Sequence, residues 1–164
     1  MIEREFINDS ADRLLQSIKV IELCLGKLTP VQLWARHSVN ENAIGNLMLH
    51  LAGNLRQYII AGLGEEPDIR VRAEEFSTRA GHTPENLLAL LRSRVDQSVG
   101  IIRNFPEERL AEQVTPPGRA ASSAFALITH IVTHFVGHTY QIIYATKLLT
   151  SQDLAIFGHA AAKK

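Results

Sequence analysis

The sequence predicts an all-α protein, a four-helix bundle with a long connection between its second and third long helices. Four stretches carry apolar residues at intervals of three and four, which is the period of a helix with one buried face. These stretches span roughly residues 2–28, 42–62, 84–104 and 123–149. No stretch alternates apolar and polar residues, so no strand is predicted. With 164 residues the chain has the length of one domain, 1–164.

Capping residues mark where the helices begin. Thr29-Pro30 and Thr83-Pro84 each combine a capping side chain with a first-turn proline. The first pair predicts a short helix through Leu33 and Trp34, and the second pair predicts the third long helix. Asn40 is the expected cap of the second long helix, and Ser122 or Ser123 that of the fourth.

The segments between the helices differ in composition. Residues 65–81 are charged and weakly periodic, which predicts the long connection with a helical turn near 73–76. Residues 115–123 include Pro116, Pro117 and Gly118 and form the clearest break in the chain.

The composition argues against several classes of partner. Seventeen basic and seventeen acidic residues give a formal net charge of zero, so the basic field that nucleic-acid binding needs is absent. The first residues lack a signal peptide, and no apolar run approaches the ~18–20 residues of a membrane span. We therefore expect a cytoplasmic protein without nucleic-acid or membrane partners. The one cysteine, Cys24, sits among apolar residues and is expected to be a buried structural thiol.

Histidines are concentrated on the predicted fourth helix. His130, His134 and His138 are spaced by four, so each neighbouring pair lies on one face and could grip one metal ion. The surrounding residues are mostly apolar, and a buried imidazole needs a partner. That partner is either a metal or a hydrogen-bonding group in the core. His37, His82 and His159 fall in predicted loops or the tail and are expected at the surface.

The second helix carries a matching polar stripe. Asn46, His50, Asn54 and Gln57 share one face at 3.6 residues per turn, framed by apolar residues. Such a stripe points toward a site rather than toward bulk water. Gln57 and also Gln141, three residues after His138, could donate or accept hydrogen bonds behind metal ligands.

Acidic residues are missing from both candidate ligand helices. None occurs between Glu41 and Glu65 or between Glu112 and Asp153, which excludes a carboxylate-rich di-iron bundle. An all-histidine site in an acid-free pocket keeps the full charge of the ion and should attract an anion. His134 and His138 also have the spacing of a helical metalloprotease motif, but Phe135 occupies the position of its glutamate base.

Residues 42–57, NAIGNLMLHLAGNLRQ, together with 134–142, HFVGHTYQI, resemble the DinB-like family of bacterial metal-binding four-helix bundles. In that family one histidine comes from the second helix and two, four apart, come from the last. The resemblance thus implies His50, His134 and His138 as ligands. Where the family usually has Arg-Gly after the last ligand, this chain has Thr139-Tyr140. Relatives by fold include thiol-dependent S-transferases and a thiol-dependent isomerase.

These observations lead to two functional hypotheses. The first is an enzyme in which His50, His134 and His138 hold Zn²⁺ or Ni²⁺ and leave an open position for a small-molecule thiol or for water, as in an S-transferase or a hydrolase. The second is a non-enzymatic bundle whose metal or histidines stabilise the fold or sense stress. His130 is expected behind the ligands or in the core, although His130 and His134 form an alternative chelating pair. A homodimer is also expected, from surplus apolar residues on the first helix and tail.

Overall fold

The computed structural model describes residues 1–156 of the chain. Its helices are α1 (Ile2–Leu25), α2 (Pro30–Leu33), α3 (Ile44–Leu55), α4 (Arg72–Ser77), α5 (Pro84–Arg103) and α6 (Ala124–Thr150). A π-helical turn, Arg56–Ala61, continues α3, and a 3₁₀ turn, Glu107–Arg109, follows α5. The predicted all-α bundle is confirmed, with α1, α3, α5 and α6 as its four long helices. His159 and the rest of the tail, 157–164, lie outside the described residues.

The four long helices surround one apolar core. α1 packs against α5 and α6, and α3 packs against the same two helices. The core is built from side chains at helical spacing on all four, including Leu14, Leu51, Val95 and Phe135, each of which is fully or almost fully buried. This arrangement sets α3 and α6 side by side, so that polar residues on their facing sides can meet.

Three of the predicted start signals are formed as capping interactions. The Thr29 hydroxyl accepts the backbone N–H of Gln32, and the Gln32 side chain accepts the N–H of Thr29, which closes a capping box. Thr83 caps α5 and Ser123 caps α6. The expectation for Asn40 is wrong, because α3 begins at Ile44 after Ala43 without any side-chain cap.

Two local features differ from the prediction. The break at 115–123 is flanked by two short strands, β1 (Gln113–Val114) and β2 (Ser122–Ser123), which pair antiparallel. Two residues per strand are too few to produce an alternating pattern, so these strands could not be predicted from apolar and polar periodicity. The second helix is also not α-helical throughout, since its last six residues form the π-helical turn. Such turns are frequent near functional sites.

Two further predictions concern membrane-spanning segments and the role of Cys24. None of the helices among residues 1–156 is long and apolar enough to cross a membrane. Cys24 is buried and unpaired, and burial raises the pKa of its thiol. Both features of Cys24 agree with a structural thiol rather than a reactive one.

Candidate metal centre

Three histidine side chains from two helices converge at the α3–α6 interface. His50 comes from the middle of α3 and is buried, whereas His134 and His138 come from successive turns of α6 and are half-buried. The Nε2 of His134 lies 3.1 Å from the Nε2 of His50 and 3.1 Å from the Nε2 of His138. One candidate donor atom from each of the three residues therefore faces a common point.

The partners behind two of these rings determine which nitrogen is free. His50 Nδ1 lies 2.9 Å from Glu75 Oε2, and His138 Nδ1 lies 2.5 Å from Gln141 Oε1. Carboxylate and amide oxygens accept hydrogen bonds, so a proton on each Nδ1 satisfies both contacts. Arg70 Nη2 also lies 3.2 Å from His50 Nδ1, but it donates to Glu75 Oε2 at 2.8 Å. The Nε2 of both rings is then an unprotonated lone pair directed at the common point. This arrangement is typical of metal-ligating histidines.

A hydrogen-bonded core cluster fits this geometry less well than a metal ion does. The single N–H at His134 Nε2 can donate to His50 or to His138 but not to both, so one of the two 3.1 Å contacts is left without a hydrogen bond. Nitrogens bound to one zinc ion at about 2.0–2.1 Å in tetrahedral geometry stand about 3.3–3.4 Å apart. The observed separations of 3.1 Å are close to this value. The donor set therefore fits a divalent ion.

The lowered pKa values of two of these histidines also favour binding of a metal ion over binding of a proton. Burial, reinforced by the neighbouring His138 and His50, lowers the pKa of His134 from 6.5 to about 3. Burial likewise lowers the pKa of His138, although its hydrogen bond with Gln141 acts in the opposite direction. Both rings are thus neutral at pH 7, which is the form that binds a metal.

A buried ion pair between Arg70 and Glu75, both in the connection between α3 and α5, lies behind His50. Arg70 donates from Nε to Glu75 Oε1 at 2.6 Å and from Nη2 to Glu75 Oε2 at 2.8 Å. Burial would raise the pKa of Glu75, but the hydrogen bonds and charges of Arg70 and His50 outweigh it and hold that pKa below its usual value. The pair is neutral as a whole, so it orients His50 without cancelling the charge of a bound ion.

The predicted acid-free pocket is therefore wrong in part. The ligand helices carry no carboxylate, but Glu75 reaches the site from α4, which coincides with the helical turn predicted near 73–76 in the long connection. Gly53 makes this approach possible, because a Cβ at that position would overlap Oε1 of Glu75. A glycine inside a helical polar stripe signals a close approach of this kind, and it was the available clue.

The polar residues of the stripe divide among different partners. Asn46 donates from Nδ2 to the backbone oxygens of Glu75 and Thr78, at 2.8 and 2.9 Å, and so attaches α4 to α3. Gln57 forms no hydrogen bond with a histidine among residues 1–156; it accepts from Arg70 at 2.7 Å and donates to the backbone oxygen of Pro117 at 2.8 Å. Asn54 is buried, and its Oδ1 has no hydrogen-bond partner among residues 1–156.

His130 lies beside the cluster rather than in it. Its exposed ring is centred 6.0 Å from that of His134 and 5.6 Å from that of Tyr58. Among residues 1–156, the group whose donor atoms all lie within 4.8 Å of one another consists of His50, His134 and His138. His37 and His82 are exposed in loops, away from this group.

Comparisons with known proteins support the fold. The family model described as "Protein of unknown function (DUF1572)" matches residues 1–161. A conserved protein from Enterococcus faecalis has a similar structure, with a TM-score of 0.70 at 17% identity, covering 88% of this chain and 97% of that one. A DinB-like protein (YjoA) from Bacillus subtilis gives 0.66 at 13% identity, with coverage of 88% and 94%. No curated protein matches the sequence.

Proposed function

The chain belongs to the DUF1572 family and has the DinB-like fold, and from its histidine centre we propose that it is a metal-dependent enzyme that activates a small thiol for transfer to an electrophile. His50, His134 and His138 would hold the ion. Zn²⁺ and Ni²⁺ are the ions we propose, because imidazole nitrogens suit both.

The convergence of three imidazole nitrogens without a fourth protein ligand carries this proposal. Structural zinc sites are closed by four protein ligands, whereas catalytic sites keep three and leave one position open. Among residues 1–156, no fourth histidine, cysteine or carboxylate joins the group. His134 and His138 are half-buried, so part of each side chain is exposed to solvent.

Charge favours a thiolate in that position. The three ligands are neutral, and Glu75 is neutralised by Arg70, so the positive charge of a divalent ion is uncompensated. When bound, such an ion supplies a Lewis acid that stabilises a thiolate or lowers the pKa of a water molecule. In the transfer itself, the thiol proton passes to solvent, the sulfur forms a bond with the electrophilic carbon, and the leaving group departs with its bonding electrons.

The chain's own residues orient the ligands. Glu75 and Gln141 fix the Nδ1 protons of His50 and His138 and thereby keep both Nε2 lone pairs directed at the centre. The ring of Phe76, 5.1 Å from that of His50, covers the α4 side of the cluster. These contacts hold the donor set in place before any ion binds, which reduces the entropic cost of binding.

Two alternatives make different demands on the molecule. Hydrolysis by activated water uses the same open position and requires no thiol. A purely structural metal would be needed for folding, yet the described part of the bundle already has a continuous apolar core to which none of the histidines belongs. That core favours an ion that serves chemistry over one that serves folding.

The proposal is tested by metal content followed by thiol binding. Protein purified without a polyhistidine tag should contain about one divalent ion per chain. After exchange with cobalt, a small thiol should produce a sulfur-to-cobalt absorption band. A stable metal content without any thiol band would favour the hydrolytic or structural reading, and protein that binds no ion would contradict the proposal.

A further inference from the structure

One cation beside the centre has free hydrogen-bond donors. Arg119 lies in the loop between β1 and β2, with its guanidinium carbon 5.5 Å from the centre of the Tyr58 ring. Within residues 1–156 its side chain makes neither an ion pair nor a hydrogen bond. Tyr58 in turn contacts His130, and His130 contacts the ligand His134, with ring centres 5.6 and 6.0 Å apart. Arg119, Tyr58 and His130 thus form a row of neighbouring side chains, called the wall below, that ends at the ligand His134.

A tight turn fixes the backbone position of Arg119. The backbone N–H of Arg119 donates to the carbonyl of Pro116 at 3.0 Å, which closes a tight turn over Pro117 and Gly118. Gly118 has a φ of +68°, as the third residue of a type II turn requires. Pro116 is buried, and Gln57 donates to the Pro117 carbonyl at 2.8 Å.

The same hydrogen bonds connect this turn to the metal ligands. Gln57 also accepts from Arg70, which holds Glu75, and Glu75 accepts from His50. The turn that carries Arg119 and the ring of His50 are therefore held by one continuous set of contacts. A ligand that touches both ends would meet a site whose parts are already positioned, which favours binding.

The chain segments that carry these side chains contain no acidic residues. Neither residues 42–64, which carry Tyr58, nor residues 113–152, which carry Arg119 and His130, contain an aspartate or glutamate. The nearest carboxylate in the network, Glu75, is paired with Arg70. A guanidinium with unused donors above an aromatic ring, on a segment without acidic residues, is suited to bind a carboxylate.

We infer that the thiol used at the three-histidine centre carries a carboxylate at its other end and that Arg119 binds this carboxylate beside Tyr58 and His130. This inference rests on the proposed function and adds to it the substrate class, an anionic thiol. Arg119 acts here as a substrate-binding residue and takes no part in bond making or breaking.

The experiment compares two series of straight-chain thiols of matched length, one ending in a carboxylate and the other in a hydroxyl. Each is titrated into cobalt-loaded protein, and affinity is read from the sulfur-to-cobalt band. We expect the carboxylate series to bind about three- to tenfold more tightly at the chain length that spans the wall. Arg119→Gln should abolish this preference, and Arg119→Lys should restore part of it.

A matched control is Arg109→Gln. Arg109 also lies over an aromatic ring, that of Phe105 at 5.7 Å, but it pairs with Glu112 next to the 3₁₀ turn. This variant should keep the carboxylate preference. If thiols bind but the two series bind equally in the wild type, or if Arg119→Gln keeps the preference, the inference is overturned while the proposed function stands. If no thiol of either series produces a band, the proposed function itself fails.

Discussion

Gly53 on α3 and Glu75 on α4 are in such close contact that no side chain larger than a hydrogen atom fits between them. The contact exists because the Glu75 carboxylate must pass close to the α3 backbone in order to reach His50 Nδ1. The helix carries a glycine at this position despite its cost to helix stability, about 1 kcal/mol relative to alanine. The geometry of a metal ligand therefore depends on a glycine that is not itself a ligand.

Gly53→Ala should weaken metal binding without removing any ligand. The added methyl group displaces the Glu75 carboxylate, and His50 loses the acceptor that fixes its Nδ1 proton. Loss of such a hydrogen bond commonly costs about 10- to 100-fold in metal affinity. Competition with a chromophoric chelator measures this change.

Gly137→Ala is the matched control for this substitution. Gly137 lies on α6 between two ligands, but a Cβ there would meet no atom within 4 Å. The control should bind metal as the wild type does and should be slightly more stable, because alanine favours the helix. Equal metal affinity in both alanine variants would show that Glu75 does not support His50.

Metal stoichiometry in single histidine variants tests the ligand set. His50→Ala, His134→Ala and His138→Ala should each lose the ion, because two protein ligands do not hold it well. His130→Ala should retain it, since its ring is centred 6.0 Å from that of His134 and outside the converging group. Full retention of the ion in one of the first three variants would show that this residue is not a ligand. Complete loss in His130→Ala would show that the chelating pair on α6 is His130 and His134 rather than His134 and His138.

The sequence predicted the bundle because helical periodicity is local and repeats at every turn, whereas the meeting of His50 with His134 and His138 was implied by the resemblance to the DinB-like family. The contribution of α4 was not predicted, because Arg70 and Glu75 lie in a segment of weak periodicity and meet His50 only through tertiary packing. Gln57 hydrogen-bonds to Arg70 rather than directly to a ligand histidine. A stripe drawn at 3.6 residues per turn does not continue through the π-helical turn that begins at Arg56.

The buried pair of Arg70 and Glu75 should be important for stability as well as for the site. Both side chains are more than nine-tenths buried. Glu75→Gln leaves the Arg70 charge buried without its counter-ion, and breaking a buried pair in this way costs about 3–5 kcal/mol. Arg92→Gln, which breaks the exposed pair with Glu22, should cost about 0–1 kcal/mol. Urea unfolding of the metal-free proteins measures both losses, and similar values for the two variants would contradict the prediction.

The metal-free protein should lose stability as the pH falls below 6.5. In the folded state burial holds the pKa of His134 at about 3, whereas the unfolded chain has the ordinary value of 6.5. Between these values the unfolded state binds a proton that the folded state excludes, so acid favours unfolding. The lowered pKa values of His138 and Glu75 act in the same direction. Urea midpoints should fall steadily over this range, with a smaller slope in His134→Gln, and a flat profile would count against a neutral buried cluster.

Thiol binding to the metal-loaded protein should release about one proton per thiol near neutral pH, because the uncompensated charge of the centre favours the thiolate over the thiol. Calorimetry in buffers of different ionisation enthalpy measures the released proton as the dependence of the observed heat on the buffer. Two controls isolate the effect: metal-free protein, which lacks the charge, and the S-methylated form of the same thiol, which has no proton to lose. A thiol that binds with a heat independent of the buffer would bind as the neutral thiol, and the charge argument for S-transfer would then fail. Activation of water would in that case be the better account of the three-histidine centre, because it uses the same open position and the same neutral ligands.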